Sequence, residues 1–185
     1  MTGAAPGAGV GLHATAVIHG ESGVLILGPS GSGKSALALA LMARASAAGA
    51  FGALVGDDRV YVREADGRLI ATGAANLAGT IERRTAGLIQ VRHEPAAVVR
   101  LAVELSGRGR EWPRMPDDHD GVSVIAGVRA PRLALDSGLA AADQAQAVEE
   151  RLAALAAGNR GRIGISLEHC AAVHKNSPSA ISPPA

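Results

Sequence analysis

Lys34 is where chemistry can start in this chain. It follows Gly28-Pro29-Ser30-Gly31-Ser32-Gly33 and precedes Ser35. Glycines at 28, 31 and 33 let a backbone curl until successive N–H groups point at one anion. A lysine at this spacing reaches the β- and γ-phosphates of a nucleotide, and the following hydroxyl can ligate Mg²⁺. Apart from Lys34, the chain's only lysine is Lys175, and arginine supplies its other fixed cations. The one position that needs a flexible ammonium on a long stem has kept it.

Other residues offer chemistry with less specific spacing. Asp57-Asp58 ends an apolar run. A phosphoryl-transfer enzyme needs a carboxylate to hold Mg²⁺ or its water and a base for the incoming hydroxyl, and two adjacent acids could divide those tasks. An Asp pair beside Gly56 is also ordinary turn chemistry. Glu82 with Arg84 reads equally as a surface charge cluster. His13 stands alone on a strand pattern, where histidines more often pack or face solvent than catalyse. Asp117-Asp118-His119-Asp120 reads as a solvated loop, and His169-Cys170 with His174 is too sparse for zinc.

The elements that must position these groups follow from the pattern around them. Val24-Leu25-Ile26-Leu27 predicts a strand entering the glycine-rich turn, and Lys34 to Ala47 predicts the helix leaving it. That helix aims its positive end at the same anion. Upstream, Leu12–His19 reads as a strand joined by a tight turn at 20–23. Downstream, strands are expected at 53–55, 60–62, 69–71, 87–91 and 98–105, with short extended pieces at 122–125 and 133–135. Residues 73–80 read as irregular and 106–121 as a polar loop. A second helix is expected over 140–156. The pattern is rich in strands around one dominant helix, unlike a regularly alternating doubly wound sheet. The expected division is a flexible 1–10, a catalytic domain over 11–158, and a segment 159–185 that is disordered from about 176.

Composition excludes several classes. The chain has 185 residues, 48% of them hydrophobic but only 2% aromatic, and a net charge of +1. Such a core is aliphatic. Neither phosphate neutralisation nor base stacking is available, so a nucleic-acid partner is not expected. Cys170 is the only cysteine, which suits a reducing, cytoplasmic setting. No signal peptide or membrane anchor is read in the sequence, since Arg44 and several small polar residues interrupt the most apolar window.

Together these pieces resemble the HPr kinase/phosphorylase family over about 12–155. The family's order holds for His13, the loop 28–35 and Leu54-Val55-Gly56-Asp57-Asp58-Arg59-Val60. Ile81-Glu82-Arg83-Arg84-Thr85-Ala86-Gly87-Leu88-Ile89-Gln90 resembles a signature usually of the form I-E-V-R-G-L-G-I-I. Glu111-Trp112-Pro113-Arg114 is similar to the family's E-x-x-R, and Val128-Arg129-Ala130-Pro131-Arg132 to its V-R-P-G-R. The resemblance implies an α/β fold: a P-loop mixed β-sheet core of the phosphoenolpyruvate carboxykinase-like type, with a late C-terminal helix and a hexameric assembly. It implies ATP and Mg²⁺ as cofactors and a serine of the phosphocarrier protein HPr, or of a paralogue, as substrate. By the same resemblance Gly28, Pro29, Ser30, Gly31, Ser32, Gly33, Lys34 and Ser35 bind the nucleotide, Ser35 and Glu82 position Mg²⁺, and His13 and Arg114 are active-site residues. Asp58 is then the base for the serine, and the segment 127–132 serves the reverse attack of inorganic phosphate on phosphoserine.

Departures from the pattern qualify the reverse reaction. Thr85-Ala86 stands where the family has Gly-Leu, and Ala130-Pro131 where it has Pro-Gly. The chain resembles the family's short form, consisting of the catalytic domain. Kinase activity is better supported than phosphorylase activity. Two rival readings stay open: a nucleotide-sensing regulatory module that transfers nothing, and a P-loop kinase for a small molecule.

Overall fold

The computed structural model describes residues 9–106 and 121–158. Three strands lead to the glycine-rich loop: β1 (Val10–Leu12), β2 (Ala14–His19) and β3 (Ser22–Leu27). The expected single strand 12–19 is thus broken at His13. Its first piece turns away to pair antiparallel with β5, and Val10 is part of that ladder. Helix α1 spans Lys34–Ala47, as its pattern predicts. β4 (Gly52–Gly56), β5 (Val60–Ala65), β6 (Arg68–Gly73), β7 (Thr80–Arg83), β8 (Gly87–Gln90) and the long β9 (Ala96–Leu105) follow. After Gly121 come β10 (Val122–Ile125), β11 (Val128–Leu135) and α2 (Ala141–Ala156).

Nine strands form one mixed sheet, in the order β1-β5-β6-β9-β3-β2-β4, with β11 also on β9 and β10 outermost on β11. β7 and β8 form a separate two-stranded ribbon. The loop strand β3 runs antiparallel to β2 and parallel to β9. β9 joins the two halves of the sheet. Ala96–Val98 pair with β6, Val99–Glu104 with β3, and Ala102–Leu105 with β11.

Two cores lie on either side of the central strands. Val24 and Ile26 of β3 pack with Val17, Leu101 and Val103 against Leu37 and Leu41 of α1 and Val148 of α2. Leu25, one step out of phase, packs on the opposite face with Val60, Val62, Leu69 and Ala71, where the sheet curls over itself and no helix takes part. Burial on both faces explains the unbroken apolar run of β3. In α1 the buried positions Leu37, Ala38, Leu41 and Ala45 form one helical stripe.

Tight turns follow local chemistry. Asp66-Gly67 and Ala126-Gly127 both have positive φ at their two central residues, as two-residue hairpins require. A closer approach is decided by two glycines. A Cβ on Gly73 would stand 2.1 Å from the Val55 carbonyl oxygen, and one on Gly56 would stand 2.8 Å from Gly73 Cα. Bare backbone therefore meets bare backbone where β4 ends, and this sets the position of Asp57. No helix among the described residues is long and apolar enough to cross a membrane.

Candidate active site

The loop 28–33 closes over the end of β3. At Gly28 (φ 149°) a Cβ would lie 2.8 Å from Ser32 Oγ and 2.9 Å from the Leu105 carbonyl oxygen, so glycine is required. Gly33, with φ 97°, caps α1 without any side-chain hydrogen bond. The first amides of the helix are therefore left for an anion.

A cavity of about 900 Å³ lies over this loop. His13, the loop from Ser30 through Ser35, Asp57, Asp58 and Glu82 line it, with Leu139 and Gln144 on another side. Lys34 is only 7% exposed. Its ammonium donates to the Gly28 and Pro29 carbonyls, at 2.9 and 3.0 Å, and lies 3.1 Å from His13 Nε2. Each of its three hydrogens thus has an acceptor. His13 Nε2 then accepts, so Nδ1 carries the proton toward Asp58 Oδ1, 2.8 Å away. Burial pulls the Lys34 ammonium below its ordinary value, and the charges of Asp57 and Asp58 oppose that pull.

The two aspartates differ in surroundings. Asp57 is 8% exposed. It accepts from Thr15 Oγ1 at 2.6 Å, from Ser35 Oγ at 3.1 Å to each oxygen, and from the Glu82 backbone N–H at 3.2 Å. Asp58 has its side chain 74% exposed, with His13 as its partner. Its backbone takes a left-handed φ of 65°, which Asp tolerates better than most residues. That turn sends successive side chains in different directions, Asp57 inward onto Thr15 and Ser35 and Asp58 outward toward His13, both at the cavity wall.

Glu82 reaches the site because Ile81 is fully buried and pins β7 against the helical core. Glu82 itself is exposed at the cavity wall. Ser35, Asp57 and Glu82 thus supply oxygen donors from α1, the end of β4 and β7. Hard oxygen ligands of this kind suit Mg²⁺, which takes one or two carboxylates and completes its shell with phosphate and water. Among the described residues no three His, Cys, Asp or Glu side chains form a self-sufficient metal cluster.

Arg114 lies outside the described residues, as do Asp117–Asp120, His169, Cys170 and His174. Arg129 lines a different cavity of about 820 Å³, together with Arg68, Arg100 and Ala130. The segment 127–132 is thus apart from the phosphate loop of its own chain. Sequence reasoning missed Thr15. Its only signal was a hydroxyl in the apolar strand 14–18, in phase with Val17. It also missed Leu139 and Gln144, which only the packing of α2 brings to the cavity.

A family model described as HPr Serine kinase C-terminal domain matches residues 9–100. Two curated proteins named HPr kinase/phosphorylase, from Clostridium botulinum strains Eklund 17B / Type B and Alaska E43 / Type E3, are each 40% identical over 80 residues. That stretch is 43% of this chain and 24% of each relative, so the match spans about a quarter of their length. The solved structure of the Hpr(Ser) kinase/phosphatase from Coxiella burnetii is similar with a TM-score of 0.67 at 21% identity. The similarity covers 80% of this chain and 99% of that one. At that identity the likeness speaks for the fold, and the fold is the mixed P-loop sheet expected from the sequence.

Proposed function

We infer the function from one premise, that over residues 9–100 this chain belongs to the HPr serine kinase C-terminal domain family. The reading is an ATP- and Mg²⁺-dependent kinase for a serine of HPr or a paralogue. The observation that carries it is the split between adjacent carboxylates. Asp57 is buried against Ser35, and Asp58 is exposed beside His13 at the mouth of the phosphate loop.

The roles follow from the donor sets. Loop amides and the start of α1 bind the phosphates, and Lys34 neutralises charge on the transferring group. Ser35 and Glu82 would hold Mg²⁺, which spreads the negative charge that develops on the phosphate oxygens. Asp57 orients the Ser35 hydroxyl. Asp58 takes the proton of the substrate serine as its oxygen bonds to the γ-phosphorus and the bond to ADP breaks. His13 holds Asp58, and Arg114 is a further active-site residue by family likeness. The reverse reaction, in which inorganic phosphate attacks phosphoserine to give pyrophosphate, uses the protonated Asp58. A homo-oligomer, hexameric in the family, belongs to the same reading.

Incubation with labelled ATP, Mg²⁺ and HPr tests it. The expected product is acid-stable phosphoserine on HPr. Asp58→Asn should lower that rate by roughly 10²–10⁴-fold with nucleotide affinity retained. Binding of nucleotide with no transfer to any protein or small-molecule acceptor would favour the regulatory module. A parental rate in Asp58→Asn would remove the base assignment.

A further inference from the structure

We propose that Thr15 is a positioning residue of this site. Its hydroxyl fixes Asp57, and through Asp57 it fixes Ser35, whose lone pairs are thereby turned toward a divalent cation. The proposal rests on the functional reading above.

Thr15 lies in β2 with no solvent exposure. Strand alternation puts it in phase with Val17, whose neighbours are aliphatic. A hydroxyl in such a core is costly unless it is hydrogen-bonded. A valine would fill the same space without that cost. The threonine instead donates to Asp57 Oδ1 at 2.6 Å, across 42 residues of sequence.

The consequence for Ser35 follows from proton counting. An ionised carboxylate only accepts, and a serine hydroxyl has one proton. Ser35 Oγ lies 3.1 Å from both Asp57 oxygens, so its proton points at Asp57. Both its lone pairs then face away from the carboxylate and are free for a cation. This holds only while the carboxylate plane stays put. Three donors pin that plane: Thr15 from β2, Ser35 itself from α1 and the Glu82 amide from β7. The Glu82 amide sits on the separate ribbon, at 3.2 Å. Thr15 is the short, fully buried anchor on the central sheet. Without it Asp57 can turn, and the Ser35 proton follows. Groups that orient a metal ligand without touching the metal commonly change affinity by ten- to a hundredfold.

The test is equilibrium binding of Mn²⁺, read by electron paramagnetic resonance, to the full chain with ADP present. Thr15→Val should weaken Mn²⁺ binding by about tenfold and leave the affinity for metal-free ADP as in the parent. Thr15→Ser should restore the parental value. In an Asp57→Ala background, which leaves neither Thr15 nor Ser35 an acceptor, Thr15→Val should add no further loss, because the two changes break one chain. Should Thr15→Val fail to fold, Thr15→Cys, close in size to serine but a poor donor, takes its place. A folded Thr15→Val or Thr15→Cys protein with parental Mn²⁺ affinity overturns the proposal and leaves the functional reading standing. A parent chain that binds no Mn²⁺ with ADP overturns both.

Discussion

Lys34 shows how a single side chain carries opposing demands. In the proposed function its ammonium serves phosphate, yet it is buried among loop carbonyls and a histidine. Burial lowers its proton affinity more than Asp57 and Asp58 raise it. The folded chain therefore loses this proton at a lower pH than the unfolded one. Between the folded value and 10.5, the unfolded chain holds more protons, so stability from this residue rises with pH. Below the folded value the full penalty is present. Thermal melts of the parent and Lys34→Met from about pH 8 to about 10.5 should show the parent gaining on the variant as pH rises. A constant difference between the two would contradict the burial argument.

At the scale of elements, the β7–β8 ribbon carries the clearest strain. Its turn closes by a hydrogen bond from the Ala86 N–H to the Arg83 carbonyl. Thr85 then sits at the third turn position with φ 72°. That position in a type II turn asks for glycine, and a β-branched residue there is an outlier. The family signature has glycine at this place, so the departure seen in the sequence is a departure in backbone energy. Relief of about 1–3 kcal/mol of strain, less up to about 1 kcal/mol of glycine's entropy cost, predicts a gain of about 1 kcal/mol for Thr85→Gly. For a domain of this size that is roughly 2–4 °C in Tm, measurable by calorimetry. A lower Tm would mean that Thr85 makes a compensating contact. The helices meet through another device: Arg44 of α1 holds Glu149 of α2, and His19 Nε2 lies 3.3 Å from the same carboxylate. This clamp ties α2, and with it Leu139 and Gln144, to the helix that starts at the phosphate loop.

For the whole molecule, the cavity is a meeting of separate layers. The loop and α1 bring one wall, the β7–β8 ribbon a second, and the start of α2 a third. A ligand that bridges them should stabilise the entire fold. At about a hundred times its Kd, Mg²⁺–ADP contributes roughly 2.7 kcal/mol, or about 5–10 °C in Tm. EDTA should remove much of that gain if Ser35 and Glu82 hold the cation. A shift untouched by EDTA would show the nucleotide bound without help from a metal. The sheet also ends in β10, where Val122 and Val124 are exposed on the outermost strand.

Local chemistry settles in the sequence. The glycine spacing of 28–33, the helix from Lys34 to Ala47 and the tight turn after His19 each depend on residues a few positions apart, so each was legible. The apolar run 24–27 likewise announced a central strand. The family resemblance separated the roles of Asp57 and Asp58, but their different surroundings were not legible, because these depend on groups far away in the chain. Thr15 lies 42 residues from Asp57, the Glu82 amide 25, and His13 lies 21 from Lys34. Strand alternation says which face a side chain takes, but not which strand crosses opposite it. For Thr15 and Asp57 that partner was decided by the antiparallel pairing of β2 with β4, which sets Ala16 opposite Gly56 and so carries the adjoining residue of each strand together.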